Sequence, residues 1–391
     1  MLTMFRRLLT PPTRSFFLLG PRATGKTTWL REHFPEAHWY NLLFAEEFVR
    51  LSRTPQLLRK EVELLPSNAW VIVDEVQRIP ELLNEVHDLL SRKQCRFVLS
   101  GSSARKLRRS GANLLAGRAL TREFYPLVRE ELGARFSLDH ALKFGMLPDV
   151  WNEPEHAAGI LMAYADTYLR EEVLQEGLVK NLGGFSRFLE VAALMNGQVL
   201  NVASIATDAQ VARQTVQGYF DILKDTLIAT EVRPFRPRLK VRETAHLKLY
   251  FFDCGVVRAL TSRLRDSVTP MDRGFLLETL LLHELRAYLA LRESEAQISY
   301  WRSGDREVDF IVSRGERRIS IEVKALEVMT MALLYDLTHK ERLLPAYLRC
   351  EEPNAFGGRV CVGVFNANGL GVGDAVGADG PDLIGRALAR K

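Results

Sequence analysis

Cysteine is scarce in this chain. Four cysteines, Cys95, Cys254, Cys350 and Cys361, are spread through 391 residues, and no two stand in a CxxC pair. That spacing argues against a zinc site and against a disulfide framework, so a reduced compartment is expected. Long apolar runs are missing as well, and no uninterrupted stretch is long enough to cross a bilayer. Near the N-terminus the apolar run "FFLLG" is too short for the hydrophobic part of a secretory signal, although a basic element precedes it. A soluble, cytoplasmic protein with no membrane partner is the expectation. Nor is there a large charge imbalance: 53 basic residues against 48 acidic ones give +5, with a pI near 9.0. Such a balance permits an anionic partner without requiring one.

What is present is ordinary for a globular protein, with 47% apolar and 26% charged residues. A chain this long exceeds one typical core, and two or three domains are expected. Its basic residues are unevenly spread, with clusters at "ARKLRR" (104–109) and "RPFRPRLKVR" (233–242).

"SFFLLGPRATGKTTWLREHF" is the most specific stretch. A short apolar strand runs into a glycine-rich turn and then an amphipathic helix, with Gly20, Gly25, Lys26 and Thr27 filling GxxxxGK[ST]. Backbone N–H groups of such a turn face phosphate oxygens. The whole loop, Gly20, Pro21, Arg22, Ala23, Thr24, Gly25, Lys26, Thr27 and Thr28, is read as the ATP-binding segment. Lys26 is expected to neutralise the β- and γ-phosphates and Thr27 to ligate Mg2+.

A second element, "AWVIVDEVQ", is a buried strand ending in two carboxylates. Asp74 suits Mg2+ binding and Glu75 suits orienting a water for attack. The second acid favours hydrolysis over transfer to a small-molecule acceptor. A third strand, "RFVLSGSSA", ends in polar residues, and Ser100 or Ser102 is placed to sense the γ-phosphate. Taken together, "GPRATGKTT", "VIVDEVQ", "VLSGSSA" and "LAGRA" resemble the AAA+ ATPases. The likeness is to the bacterial and archaeal group whose core precedes a region of the DUF4143 type. In such enzymes an arginine late in the core often completes a neighbouring subunit's site, and Arg118 matches that role best. A homo-oligomer would follow from it; a local ion pair is the competing reading of Arg118.

The middle of the chain turns helical, and no repeat or low-complexity tract interrupts it. "FGMLPDVW" and "YADTYLREEVLQEG" extend the same resemblance. Then "VASIATDAQVARQTVQGYFDILKDTLIATEVRPF" reads as helix, turn, helix and strand. Val216, Tyr219, Phe220 and Leu223 recur at i, i+3, i+4, i+7, one apolar stripe facing a core. Arg213, Gln214 and Gln217 lie elsewhere around the helix, where they could reach DNA. The strand and a basic stretch with Arg236, Arg238 and Lys240 would form a wing. This is the shape of a winged helix, used either for duplex DNA or only for packing between domains.

In the last part, "HLKLYFFDCG" reads as a strand and a helix start, and "GFLLETLLLHELRAYLA" as an apolar helix carrying Glu278 and Glu284. "ISYWRSGDREVDFIVSRG" and "RRISIEVKA" read as strands around a turn over 313–316. Residues i and i+2 share a strand face, so Glu322 and Lys324 point one way, with Asp309 on the partner strand. Two carboxylates can hold Mg2+, and an ammonium beside them can help activate water. Helix Glu, hairpin Asp and ExK in this order resemble the PD-(D/E)xK nuclease fold, with Val308 where that motif has proline. The resemblance makes Glu278, Asp309 and Glu322 metal ligands and Lys324 catalytic. A retained fold that serves as a platform without cutting is the competing reading. The Gly- and Asp-rich tail reads as loop.

The expected fold class is α/β. A P-loop AAA+ domain (1–130) precedes a helical and winged-helix middle (131–245) and a restriction-endonuclease-like α/β domain (246–391). The expected function is ATP hydrolysis coupled to DNA binding and Mg-dependent cleavage. A signalling or scaffold ATPase is the alternative.

Overall fold

A computed structural model of the chain describes residues 5–92, 95–103, 115, 117–168, 181–235, 247–303, 306–315, 317–325 and 330–333. The basic positions Arg236, Arg238 and Lys240, the cluster at 104–109, most of "YADTYLREEVLQEG" and the tail lie outside these residues, as does the side chain of Lys324. The fold divides into two compact units. One comprises Met1–Leu132, Met146–Leu182 and Gln217–Ala229, the other Gly133–Gly145, Gly183–Val216 and Thr230–Lys391. Among the described residues no helix is long and apolar enough to cross a membrane.

The first unit is built on strands β1 (Phe16–Leu19), β2 (His38–Asn41), β3 (Trp70–Asp74), β4 (Arg96–Gly101) and β5 (Leu120–Glu123). They form one parallel sheet in the order β2-β3-β4-β1-β5. Helices α1 (Lys26–His33), α2 (Ala45–Arg53), α3 (Gln56–Val62) and α4 (Leu82–Ser91) connect the first four strands. A parallel sheet covered on both faces needs apolar residues at every position, and β1 is buried along all of "FFLL". Successive side chains take opposite faces. Phe17, Leu19, Val71, Val73, Phe97 and Leu99 join Leu51 of α2, Leu58 of α3 and Val86 of α4. Phe16, Leu18, Ile72 and Val98 meet Trp29 and Leu30 of α1. Because β4 lies between β1 and β3, the carboxyl ends of these three strands share one edge, where ligands of open α/β sheets bind.

After β5 come α5 (Arg129–Leu132), α6 (Leu138–Phe144), α7 (Pro148–Asn152), α8 (Ala157–Ala163), α9 (Leu182–Leu194), α10 (Val202–Asp208) and α11 (Arg213–Asp225). The Asn201 carboxamide oxygen caps α10, accepting from the N–H groups of Ala203 (3.1 Å) and Ser204 (3.2 Å). Val216, Tyr219, Phe220 and Leu223 of α11 are all buried, matching the stripe read from the sequence.

The second unit holds the other sheet, made of β6 (Ala229–Pro234), β7 (Lys248–Phe251), β8 (Gln297–Ser303), β9 (Arg306–Arg314), β10 (Arg317–Ala325) and β11 (Thr330–Leu333), in the order β11-β10-β9-β8-β6-β7. Helix α12 (Cys254–Leu260) begins at Asp253, whose carboxylate accepts from the Val256 N–H at 3.1 Å. The long α13 (Pro270–Leu291) sets Leu282, Leu285 and Leu289 against Tyr250, Phe310, Val312, Ile319 and Ile321. The β9–β10 turn is tighter than the sequence suggests. Arg314 still pairs with Arg317, and Gly315 supplies the left-handed φ of +60° that so short a loop requires. Strand β6 also differs from a free-standing wing. It pairs in parallel with β8, Arg233 opposite Ser299, while β7 makes an antiparallel bridge from Lys248 to Val199.

Gly20 is wedged where β1 ends. Its N–H donates to Gly101 O at 3.2 Å, and an added Cβ would stand 2.1 Å from the Phe124 carbonyl oxygen. That oxygen belongs to the backbone and cannot swing away. Gly20→Ala is expected to destabilise the first unit by about 1–3 kcal/mol through overpacking. A melting midpoint unchanged from wild type would contradict this close approach.

Candidate functional site

The turn from β1 to α1 uses two left-handed residues, Ala23 at φ 59° and Gly25 at φ 91°. Lys26, the first residue of α1, is buried, and its ammonium donates to Gly20 O (2.7 Å) and Pro21 O (2.8 Å). The Thr24 hydroxyl donates to Pro21 O at 2.9 Å. Arg7 holds the turn from beneath. Its guanidinium donates to Thr24 O (2.7 Å) and Tyr125 O (2.6 Å), pairs with Glu131 at 3.0 Å and covers the Phe124 ring at 4.2 Å.

Asp74 ends β3 with only 1% of its surface exposed. Its carboxylate accepts hydrogen bonds from the Ser100 hydroxyl on β4 and from the Thr27 hydroxyl on α1, the latter at 3.0 Å. Glu75 follows in a left-handed conformation, φ 60° and ψ 44°, which turns its side chain away from the strand's alternation. Gln77 holds that side chain, donating one amide hydrogen to the Glu75 carboxylate and the other to Ser102 Oγ at 3.1 Å.

A cavity of about 520 Å3 opens over this edge, within the size range of small-molecule sites. Of the residues read from the sequence, Arg22, Ala23, Gly25, Lys26, Thr27, Thr28 and Glu75 line it. Gly20, Pro21 and Thr24 shape the loop through their carbonyls, and the Ser100 hydroxyl donates to Asp74. Arg118 is exposed, its N–H donating to Leu115 O at 2.9 Å, and it does not line the cavity.

A second polar cluster lies in the other unit. The sequence reading named Glu278, Asp309 and Glu322 there but passed over Lys248, which the structure places at its centre. Lys248 is 3% exposed; its ammonium pairs with Glu307, lies 3.9 Å from Glu278 and faces the Tyr300 ring at 5.4 Å. Tyr250 donates to Glu278 at 2.8 Å, and the Asp309 carboxylate accepts from the Val323 N–H at 2.6 Å. Ile321 stands opposite Phe310, so Glu322 and Asp309 are each one step further along their strands. Burial, followed by the charge of Asp309, pushes the Glu278 carboxyl up to about 7, against the pull of Lys248 and Tyr250. Burial also raises Asp309, with Glu307 and Glu322 adding to it and the Val323 N–H opposing. Among the described residues no group of three or more His, Cys, Asp or Glu could hold a metal ion. On α11, Arg213, Gln214 and Gln217 are all exposed.

Three of these contributors escaped the sequence reading: Arg7, Gln77 and Lys248. Lys248 carried a signal, since a lone lysine inside the apolar run "LKLYFF" must find a counter-charge once that strand is buried. Arg7 carried none, because its partners lie 17 and 118 residues away.

Comparison with known sequences gives three matched segments. Residues 12–133 match the family described as an AAA domain, and residues 273–353 match a domain of unknown function, DUF4143. Residues 135–267 between them match another domain of unknown function, DUF8612. The chain thus carries an AAA-type domain match at its N-terminus and a DUF4143 match at its C-terminus. Uncharacterized proteins of Mycobacterium bovis and Mycobacterium tuberculosis are each 28% identical over 318 residues, spanning 78% of this chain and 69% of theirs. A solved signal transduction ATPase with numerous domains from Pyrococcus horikoshii, with a tetratricopeptide repeat sensor, is 15% identical. The match covers 72% of this chain and 46% of that one, with a TM-score of 0.23.

The carboxyl of Glu278 predicts a pH dependence. At about 7 in the fold against an ordinary 4.5, it favours the folded state fully below the ordinary value, and that contribution is lost as pH rises through about 7. Raising the pH from about 5 to about 8 is expected to lower the melting midpoint, and Glu278→Gln to remove a part on the order of 2–3 kcal/mol. Parallel pH profiles for the two proteins would contradict the assignment.

Proposed function

We propose that this chain hydrolyses ATP at the β1–α1 turn and couples that cycle to DNA binding. The meeting of Thr27, Asp74 and Ser100 beside the Lys26 loop, with Glu75 one residue on, supports the reading best. The donor set suits a hard cation: the Thr27 hydroxyl and, through water, the Asp74 carboxylate would hold Mg2+. Bound there, the ion would offset charge on the β- and γ-phosphates. Lys26 exchanges its two loop carbonyls for phosphate oxygens. Glu75 orients the attacking water and accepts its proton, held for that task by Gln77. Ser100 couples the γ-phosphate region to Asp74. Exposed on its turn, Arg118 is available to a neighbouring copy in a homo-oligomer.

DNA contact is assigned to a winged helix made by α10, α11 and β6. Arg213, Gln214 and Gln217 would reach bases or phosphates, and the basic stretch Arg236, Arg238 and Lys240 would follow the backbone. For the C-terminal unit, the reading in which Asp309, Glu322 and Lys324 cut DNA competes with that of a non-cutting platform. One observation favours the platform. The Lys248 ammonium already lies against Glu307 and near Glu278, where a cleaving site needs a divalent cation.

Lys26→Ala is expected to abolish ATP turnover, and Glu75→Gln to keep nucleotide binding while slowing turnover by about 100-fold or more. A phosphate-release assay reads both, and normal turnover in either variant overturns the assignment of roles. Duplex DNA is expected to be retarded at low salt and released as salt rises, the log affinity falling by about 0.9 per phosphate contact for each unit of log salt. No retardation at low salt favours the scaffold alternative instead.

A further inference from the structure

Ser100 and Ser102 stand two residues apart where β4 ends, and each is tied to a different acid. Ser100 is fully buried, and its hydroxyl donates to Asp74. Ser102, 2% exposed, accepts from the Gln77 amide at 3.1 Å, and the same amide donates to the Glu75 carboxylate. A carboxylate only accepts, so Gln77 has to turn its NH2 group toward Glu75 and its oxygen away. That oxygen accepts no hydrogen bond among the described residues and rests over Gly101. A Cβ on Gly101 would stand 2.3 Å from Gln77 Oε1 and 3.3 Å from Gln77 Cδ, and its three nearest neighbours would all be atoms of Gln77. Of Glu75, Gln77, Gly101 and Ser102, only Glu75 lines the cavity.

We infer that Ser102, acting through Gln77, is a positioning residue for the base Glu75, and that the two serines divide the work of the site. Ser100 serves the acid assigned to the cation, and Ser102 serves the acid assigned to the water. The inference rests on the ATPase reading given above. Glu75 lies just past β3 in a left-handed conformation, so the alternation of the strand does not aim its side chain. The Gln77 amide aims it instead. Gln77 is in turn fixed on one side by the Ser102 hydroxyl and on the other by the space that a side chain at 101 would fill. Neither support faces the nucleotide. Their loss therefore falls on the hydrolytic step and leaves the grip on the phosphates in place.

The test measures turnover by phosphate release and affinity by displacement of a fluorescent ATP analogue, both on the full chain. Gln77→Ala and Ser102→Ala are each expected to lower kcat by about 10-fold or more while keeping ATP affinity within about 3-fold. Ser100→Ala, which leaves Asp74 with the Thr27 donor, is expected to weaken ATP binding in the presence of Mg2+. Gly101→Ala removes no polar group, and its methyl meets only the movable end of Gln77. It is expected to keep the melting midpoint and to lower kcat by displacing the amide. In a Gln77→Ala background that space is open, and Gly101→Ala is expected to change kcat by less than about 2-fold. The same loss from Gly101→Ala in both backgrounds overturns the inference and leaves the ATPase reading standing. So does wild-type kcat in Ser102→Ala, or a Ser102→Ala defect that appears as weakened ATP binding. If wild type releases no phosphate from ATP, or if Lys26→Ala releases it as wild type does, the ATPase reading falls and the positioning role falls with it.

Discussion

A buried carboxylate has to be satisfied, and Asp74 is the point on which the first unit turns. It sits at the tip of a central strand with almost no access to water, so its oxygens need neighbours that donate to them. Ser100 and Thr27 do so, one from the adjoining strand and one from the helix after the glycine turn. A single side chain thereby fixes the relative placement of β3, β4 and α1. The strand order makes this possible, because β4 separates β3 from β1 and brings its own hydroxyl between the acid and the loop.

The two units treat buried acids in opposite ways. Around Asp74 the donors are the neutral hydroxyls of Ser100 and Thr27. In the second unit the acids face the ammonium of Lys248, which neutralises charge in place. Desolvation then dominates what remains, and the Glu278 carboxyl rises to about 7. Similar residue types thus give an acid ringed by neutral donors in one place and an ion-paired cluster in the other.

Strain and support are likewise paired around the carboxyl edge of the first sheet. Glu75 takes up a left-handed conformation that a non-glycine residue adopts at a cost of roughly 1–2 kcal/mol. Gln77 and Ser102 hold the result. Beneath the glycine turn, Arg7 binds the Thr24 carbonyl and anchors it to the segment after β5. The loop is therefore set in place by groups that need never touch a nucleotide.

Contiguous signals were legible in the sequence. Gly20 to Thr28, the apolar "FFLL" and "VIVD" strands, the paired acids and the stripe on α11 each lie within a few residues, so local spacing alone determines which element they form and which face they bury. The β9–β10 hairpin was legible for the same reason. Tertiary structure alone decided the rest: that β6 extends the second sheet, that Arg7 braces a turn 17 residues away, and that Lys248 lies against Glu307. Those groups are distant in the chain, and no periodicity encodes their meeting. Burial of the two sheets brings them together, and removal of water then requires each charge to find a partner.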